Sequence, residues 1–511
     1  MNKILVILIL IFALALIIRF LYFPNNIYFG FDQARDAFAA SDVLKGDLKI
    51  VGPPTTFEGL NHGVLYYYIW APIYLLGQGD PTFLAAFLRT VNAALIFLVF
   101  LIGSTIFNRK VGLFAVLLFA VSFEQTQFAI YMNHPSLGVL SVLLLYWGLS
   151  LLVFQKKNYG LIIASAALAL SVQFEFVLVY LMAPSLTILL MFRNHLPKID
   201  FHIWRWAILS FLLIISTFIL SEIKFHFKAI NAATALLGNS QKGVEAIIST
   251  YIFEIKKMIA YNFVGNSNLE GTGMLILIVS SVYIFYKFRN LRKGVLFIGV
   301  WFFSSFLIYL ISGGSKDLNS NIPLFYHNMG VSVSLIILTA MLIDLIYKKV
   351  KILAILTLIV IIFMNWFLIQ ELNPKGSISE INVQSGMLLS DEKKVMDYMY
   401  NESKGKPFAV KGITMPFLIN TTWSYLFKWY GMEKYGYLPV WNGKHADGFP
   451  GALRVQEAQE GLPVNRFLVI EPVRGIAPYL INEYLQEENY FTKVVEEKKF
   501  GEFIVQKRKK F

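Results

Sequence analysis

The residues able to do chemistry in this chain gather in short connections between long apolar stretches. The first is Phe31-Asp32-Gln33-Ala34-Arg35-Asp36, two carboxylates four residues apart with an arginine between them. On a helix, positions i and i+4 share a face, so Asp32 and Asp36 form one acidic site beside Arg35. A positioned carboxylate can take the proton of an attacking hydroxyl, a step worth roughly 10²–10⁴ in rate. His62 follows in Asn61-His62-Gly63-Val64-Leu65-Tyr66-Tyr67-Tyr68. Arg89, Glu124, Asn133-His134, Gln173, Glu175, Glu222 and His226 complete the set. Arginine suits bidentate contact with phosphate, and histidine adds a charge that depends on pH near neutrality. The oxygen ligands and histidines also suit Mg²⁺ or Mn²⁺, although their spacing is not diagnostic of a metal. The chain has no cysteine, which excludes thiolate metal sites and a cysteine nucleophile.

Each residue has an ordinary structural role too. Asp32 and Asp36 after Gly30 favour the positive start of a helix. Arg35 can serve as their partner, Glu175 as a turn marker, and His134 before Pro135 as a helix entry. Those roles leave one thing unexplained: the charged groups from several segments fall on one side of the membrane.

The elements that position these residues follow from composition. Of 511 residues, 57% are hydrophobic and only 15% charged, against ~25% charged in a soluble domain. This is the composition of a polytopic membrane protein. Segments near the ~20 apolar residues a spanning helix needs cover 4–22, 82–106, 111–130, 135–154, 158–192, 206–221, 273–286, 294–312, 328–347 and 352–370. Basic clusters lie at Arg109-Lys110, Lys156-Lys157, Arg193 to Arg205, Lys287 to Lys293 and Lys348 to Lys351. Such loops face the cytoplasm. They account for most of the net charge of +13 and argue against a nucleic-acid partner. Lys157 and Arg193 are then on the same side, so 158–192 is a pair of short helices turning near Gln173-Phe174-Glu175. The expected architecture is an all-α polytopic membrane protein of about eleven transmembrane helices. Its N-terminus is inside and its C-terminus outside, with a C-terminal extracytoplasmic α/β domain.

Residues 1–370 form the expected transmembrane domain and 371–511 the soluble one. The first outer loop, 23–81, contains an apolar piece from Val64 to Leu76, too short to span and interrupted by Pro72, which reads as a re-entrant or interfacial helix. A second large outer loop covers 222–272. In the tail, 391–402 reads as a polar helix. Phe408 to Val410, Phe467 to Ile470 and Phe500 to Val505 read as strands, and Asn442-Gly443 as a turn. Trp423, Trp429 and Trp441 read as core.

The ordered set of motifs resembles the polytopic GT-C glycosyltransferases, specifically the superfamily of protein O-mannosyltransferases and lipid A aminoarabinose transferases (glycosyltransferase family 39-like). Asp32-Gln33 stands where that superfamily has an Asp, often Asp-Glu, in the first outer loop. His62-Gly63-Val64-Leu65-Tyr66-Tyr67-Tyr68, after Gly52-Pro53-Pro54, resembles its Lys-Pro-Pro-Leu-Tyr-Tyr-Trp helix. Arg89 to Ile106 followed by Phe107-Asn108-Arg109-Lys110-Val111-Gly112 resembles its Arg-led helix and basic turn. His62 replaces the lysine, and Asn133-His134-Pro135 replaces a loop that often carries an Asp. The convincing resemblance covers residues 1–190.

The resemblance implies transfer of a sugar from a polyprenyl-phosphate donor to an extracytoplasmic acceptor on a lipid, glycan or protein, with inversion at the anomeric carbon. It implies Asp32 as general base with Asp36 second, and Arg35, His62, Arg89, His134 and Glu175 around the donor phosphate. No cofactor is required by it beyond a candidate Mg²⁺ or Mn²⁺. The expected partners are the donor and the bilayer, and the expected location is the plasma (inner) membrane of a cell envelope. The alternative is a polytopic lipid or glycan transporter or flippase, which also carries charge within its spans but commonly shows repeated halves and broken midplane helices. A membrane anchor for the soluble tail is a third reading, and it leaves the polar outer cluster unused.

Overall fold

The computed structural model describes residues 3–55, 58–232, 244–265, 268–311, 325–378, 384–444, 446–472 and 475–511. Its first half is helical: α1 (Lys3–Phe20), α2 (Phe31–Leu44), α3 (Leu65–Leu76), α4 (Pro81–Ile106), α5 (Arg109–Val121), α6 (Phe123–Ile130), α7 (Gly138–Gln155), α8 (Gly160–Phe174), α9 (Met182–Met191) and α10 (Phe201–Lys224). Helices Val244–Ile259, Glu270–Lys287, Arg292–Phe302, Ser332–Lys349 and Lys351–Leu372 follow. Among the described residues, six helices are long and apolar enough to cross a membrane, or seven if the bent pair α5–α6 counts as one. The 158–192 stretch divides as expected, into α8 and α9 joined through a 3₁₀ segment at Phe176–Leu181. The short apolar piece of the first outer loop is α3, twelve residues long with Pro72 inside it. The second large loop holds the Val244–Ile259 helix, which buries Ile247, Tyr251, Ile255, Met258 and Ile259 along one face. The rest of that loop includes 233–243 and 266–267, which lie outside the described residues.

The α5–α6 break shows how the fold tolerates an interrupted helix in apolar surroundings. The two helices meet at 58°. A helix end leaves carbonyls and amides without partners, and in lipid each must find one inside the protein. Arg19 of α1 supplies the donors: Nη2 reaches Phe119 O at 3.1 Å and Nη1 reaches Ala120 O. On the α6 side, Ser122 Oγ accepts from Gln125 N at 3.2 Å, and Asn365 Oδ1 accepts from Phe123 N at 2.8 Å.

The soluble tail carries a six-stranded sheet: β1 (Phe408–Ile413), β2 (Val440–Trp441), β3 (Arg454–Val455), β4 (Asn465–Ile470), β5 (Thr492–Phe500) and β6 (Phe503–Lys510). The order is β3-β2-β1-β4-β6-β5. The first four strands are parallel, and the β5–β6 hairpin closes the edge antiparallel. The polar helix appears as Leu389–Ser403. The expected closing strand at 500–505 is corrected. Gly501 takes a positive φ of 58°, so the chain reverses there and the two halves of that run belong to different strands. Trp423 and Trp441 are core, while Trp429 is only partly buried.

The two parts pack through one continuous apolar cluster. Phe29, Phe38, Tyr67, Trp70 and Tyr74 from the first outer loop join Met396, Phe408, Trp423, Tyr425 and Phe467 from the tail. Main-chain bonds reinforce the junction: Phe29 N donates to Met387 O at 3.0 Å and Leu389 N to Ile27 O at 2.9 Å.

Candidate active site

The start of α2 places the acidic pair. Gly30 N donates to Gln33 Oε1 at 3.0 Å, closing the helix entry, and Gln33 Nε2 donates to Met132 O at 2.9 Å. That second bond ties α2 to the segment leading into His134. Asp32 stands in the first turn, where the exposed amides favour an anion, and its side chain is half-exposed. Arg35 joins the two acids: Nη1 donates to Asp32 Oδ1 at 2.7 Å and Nε to Asp36 Oδ1 at 2.8 Å. Asp36 is fully buried and also accepts from Tyr67 Oη at 3.3 Å. Burial pushes the Asp36 carboxyl up to about 6, with the Arg35 guanidinium pulling the other way. The two acids therefore differ in kind. Asp32 faces the open side, and Asp36 sits behind Arg35.

A second cluster lies next to the first. His62 Nδ1 is 3.2 Å from Glu175 Oε1, and His134 Nε2 is 3.5 Å from Glu175 Oε2. The imidazole centroids are 4.3 Å apart, and Tyr66 packs on His134 at 5.1 Å. Tyr66 stacks in turn against Tyr67, the partner of Asp36, at 4.3 Å. A chain of contacts thus runs from Asp36 to Glu175.

Local backbone fixes each member. His62 N donates to Pro53 O at 2.9 Å, and Pro54 bridges Asn61. A side chain at Gly63 would collide with Gln173, two residues before Glu175, so only glycine lets the first outer loop approach this turn so closely. Gln173 Nε2 donates to Ile214 O at 2.7 Å and Thr217 Oγ1 at 2.9 Å. Asn133 Oδ1 accepts from His134 N and lies 2.8 Å from His134 Nδ1. An amide oxygen only accepts, so Nδ1 carries the proton and a neutral His134 turns the bare lone pair of Nε2 toward Glu175.

A lone pair facing a carboxylate oxygen is repulsive unless a proton or a metal cation lies between them. The contact geometry is not that of a hydrogen bond: His62 Nδ1, His134 Nε2 and Glu175 Oε2 are all buried without a hydrogen-bond partner. Ligand atoms of the three residues lie within 4.8 Å of one another. In a tetrahedral site with bonds of ~2.0–2.1 Å, neighbouring ligand atoms stand about 3.3 Å apart. The 3.2 and 3.5 Å separations match that edge. Two imidazoles and one carboxylate also form the donor set of metal centres that keep an open position. His327, buried in the turn Phe325–Asn328, is close enough to sense the charges of Glu175 and His62.

Asp32, Arg35, Asp36, His62, His134 and Glu175 come together, and Arg89 does not join them. Its Nη1 donates to Arg19 O and its Nη2 to Asn26 Oδ1, both at 2.9 Å, in a fully buried network. Glu124 is likewise buried elsewhere, accepting from Asn262 Nδ2 at 2.6 Å. Sequence reasoning missed Arg19, which lies inside an apolar run, and His327.

A cavity of about 440 Å³ opens beside the second cluster, between residues 50–64 and the end of α10. His62 lines its wall together with Asn61, Thr217, Ser221, Glu222 and Lys228. Glu222 accepts from Ala229 N and Ile230 N at 3.3 and 3.1 Å, so it caps the following turn.

No protein-family profile matches the chain, and no curated protein matches it in sequence. Solved structures do. ArnT from Cupriavidus metallidurans, bound to undecaprenyl phosphate, superposes with a TM-score of 0.59 at 12% identity, covering 98% of this chain and 97% of that one. The oligosaccharyltransferase AglB of Archaeoglobus fulgidus, in complex with an inhibitory peptide and a dolichol-phosphate, gives 0.48 at 10% identity, covering 92% and 69%. The protein has the GT-C fold, shared with ArnT over nearly the whole length of both chains.

Proposed function

We propose that this protein is a membrane glycosyltransferase that uses a polyprenyl-phosphate-linked sugar and modifies an acceptor outside the cell membrane. The observation that carries the reading is the Asp32–Arg35–Asp36 triplet beside the His62–His134–Glu175 cluster. A half-exposed carboxylate held by a buried ion pair stands next to a site that attracts a cation. The fold shared with ArnT, which was solved with undecaprenyl phosphate, supports the donor class. The eleven-span arrangement with an outer C-terminal domain belongs to the same reading, as does a plasma-membrane location.

The step is a substitution at the anomeric carbon. The acceptor oxygen forms a bond to C1 as the bond from C1 to the phosphate oxygen breaks. The bonding pair leaves with the polyprenyl phosphate, and the acceptor proton passes to Asp32 and then to solvent. Arg35 holds the Asp32 carboxylate in place through a short charge-assisted bond. Asp36 fixes Arg35 and takes no proton from the acceptor. His62, His134 and Glu175 fit a divalent cation, and two imidazoles favour Zn²⁺ over Mg²⁺. Such an ion supplies charge stabilisation to a phosphate leaving group. The cavity walled by His62 and Lys228 is the place for the donor head group.

The test is sugar release from a panel of synthetic polyprenyl-phosphate hexoses by the purified protein and its Asp32→Asn variant. Turnover by the wild type, reduced roughly 10²–10⁴-fold in a variant that still binds the lipid, is the expected result for a general base. Turnover undiminished in the variant removes Asp32 from that role. Lack of turnover and of binding with every donor shifts the reading to a transporter, for which a reconstituted flipping assay is the next measurement.

A further inference from the structure

The residue that precedes Asp32 packs against the C-terminal domain. Phe449 is 45% exposed, and its ring meets Phe31 edge-on with centroids 5.8 Å apart. Phe31 immediately precedes Asp32, and the Arg35 guanidinium lies 5.7 Å from the Phe31 ring. Arg35 in turn holds Asp32 at 2.7 Å. An apolar ring from the C-terminal domain thus packs on the residue next to the proposed base.

The loop that carries Phe449 is pinned at both ends. Asn442 N donates to Val410 O at 2.8 Å, and Asn442 Nδ2 donates to Gln456 O at 2.9 Å. At the other end Thr421 Oγ1 donates to Pro450 O at 2.8 Å, and Ser424 Oγ accepts from Ala452 N at 2.9 Å and Leu453 N at 3.2 Å. Thr421 and Ser424 belong to the Thr421–Leu426 helix, whose Tyr425 packs on Phe29 and Phe38 and donates to Gly79 O at 2.7 Å. The element that docks the soluble domain on the first outer loop is therefore the one that sets the loop. Gly448, with a φ of 83°, turns the chain just before Phe449 in a conformation other residues rarely adopt.

We propose that Phe31 and Phe449 form the acceptor platform of this site and that the acceptor is a carbohydrate. A pyranose has an apolar C–H face and a rim of hydroxyls at right angles to it. With that face on the Phe449 ring, a rim hydroxyl is directed at Asp32, so one side chain reads the ring and the other takes its proton. This inference rests on the transferase reading and assigns the soluble domain a role in choosing the acceptor.

The test supplies a polyprenyl-phosphate hexose donor with either alkyl glycosides or a serine/threonine peptide as acceptor. Transfer and hydrolysis of the donor by water are both measured, for the wild type and for Phe449→Ala and Phe449→Trp. The expected result is transfer to a glycoside. In Phe449→Ala the transfer-to-hydrolysis ratio falls at least tenfold and the acceptor KM rises, and Phe449→Trp restores both. A ratio that stays at the wild-type value in a Phe449→Ala variant with wild-type melting temperature overturns the proposal. So does transfer to the peptide alone, or to neither acceptor while the donor is still hydrolysed. Failure of the wild type to consume any donor is a different result, since it overturns the transferase reading itself.

Discussion

Arg35 Nε donates to Oδ1 of the fully buried Asp36 at 2.8 Å, and through that bond a residue with no exposed surface sets the position of the arginine that holds Asp32. Asp36 is pushed by burial up to about 6, so it is ionised at neutral pH and loses its charge just below. As it protonates, the hold on Arg35 weakens. The expected outcome is a wild-type rate that falls as the pH drops through about 6. Asp36→Asn is slow at all pH values and lacks that limb. Rate profiles between pH 5 and 8 check this, and a variant profile parallel to the wild type assigns the limb to another group.

The His62–His134–Glu175 cluster predicts bound metal. Protein washed with chelator and reloaded with Zn²⁺ or Mn²⁺ should hold one ion per chain by elemental analysis. His134→Ala and Glu175→Gln should each remove it, because a three-ligand site with an open position does not survive the loss of a ligand. Full retention of metal in both variants excludes the cluster as its site.

Much of the fold was legible because apolar length and basic loops are strong signals. The helices of 158–192, the short α3 and the polar helix of the tail lie where the sequence puts them. The acidic pair and the members of the histidine cluster were legible as residue types in outer connections. Their grouping was not, because His62, His134 and Glu175 are brought together by Gly63 packing against Gln173, a contact that no spacing encodes. Arg89 lies among other partners, and the sequence does not show them for a related reason. A buried arginine and a phosphate-binding arginine look alike until their partners are known, and here the partners are Arg19 O and Asn26. The turn at Gly501-Glu502 stays hidden in the sequence because it lies inside Phe500 to Val505, a β-forming run that reads as one strand.

The soluble domain hides two carboxyls behind its contact with the first outer loop. Glu471 accepts from Met415 N at 2.8 Å, Trp423 Nε1 at 2.9 Å and Gln384 Nε2 at 2.5 Å. Glu392 is fully buried with neither oxygen hydrogen-bonded. Burial raises Glu471 to about 7, and burial with the nearby Glu471 raises Glu392 as well. Above the ordinary glutamate range the native state then binds more protons than the unfolded chain, so stability falls as pH rises. For Glu471 that fall spans the interval from 4.5 to about 7 and amounts to roughly 3–4 kcal/mol at ~1.4 kcal/mol per unit. Glu392 shifts in the same direction and adds to the fall. The melting temperature should decline from pH 5 to 8, and Glu392→Gln should flatten the decline. An unchanged slope in that variant places the proton uptake elsewhere.

Arg19 and Arg89 should matter for stability and not for the donor. Arg19 Nε donates to Asn92 Oδ1 at 2.9 Å while its other nitrogens serve the Phe119 and Ala120 carbonyls at the α5–α6 break. Leaving such a group without a partner costs ~1–3 kcal/mol, and water is not at hand in the apolar interior to replace the donor. Arg19→Leu should therefore lower the melting temperature in detergent by several degrees. Arg89→Ala should do the same through the loss of its bonds to Arg19 O and Asn26 Oδ1. In the folded fraction of Arg89→Ala the KM for a polyprenyl-phosphate sugar should stay within twofold of the wild type. A tenfold rise in that KM, with the melting temperature preserved, returns Arg89 to the phosphate and overturns its assignment to a structural role.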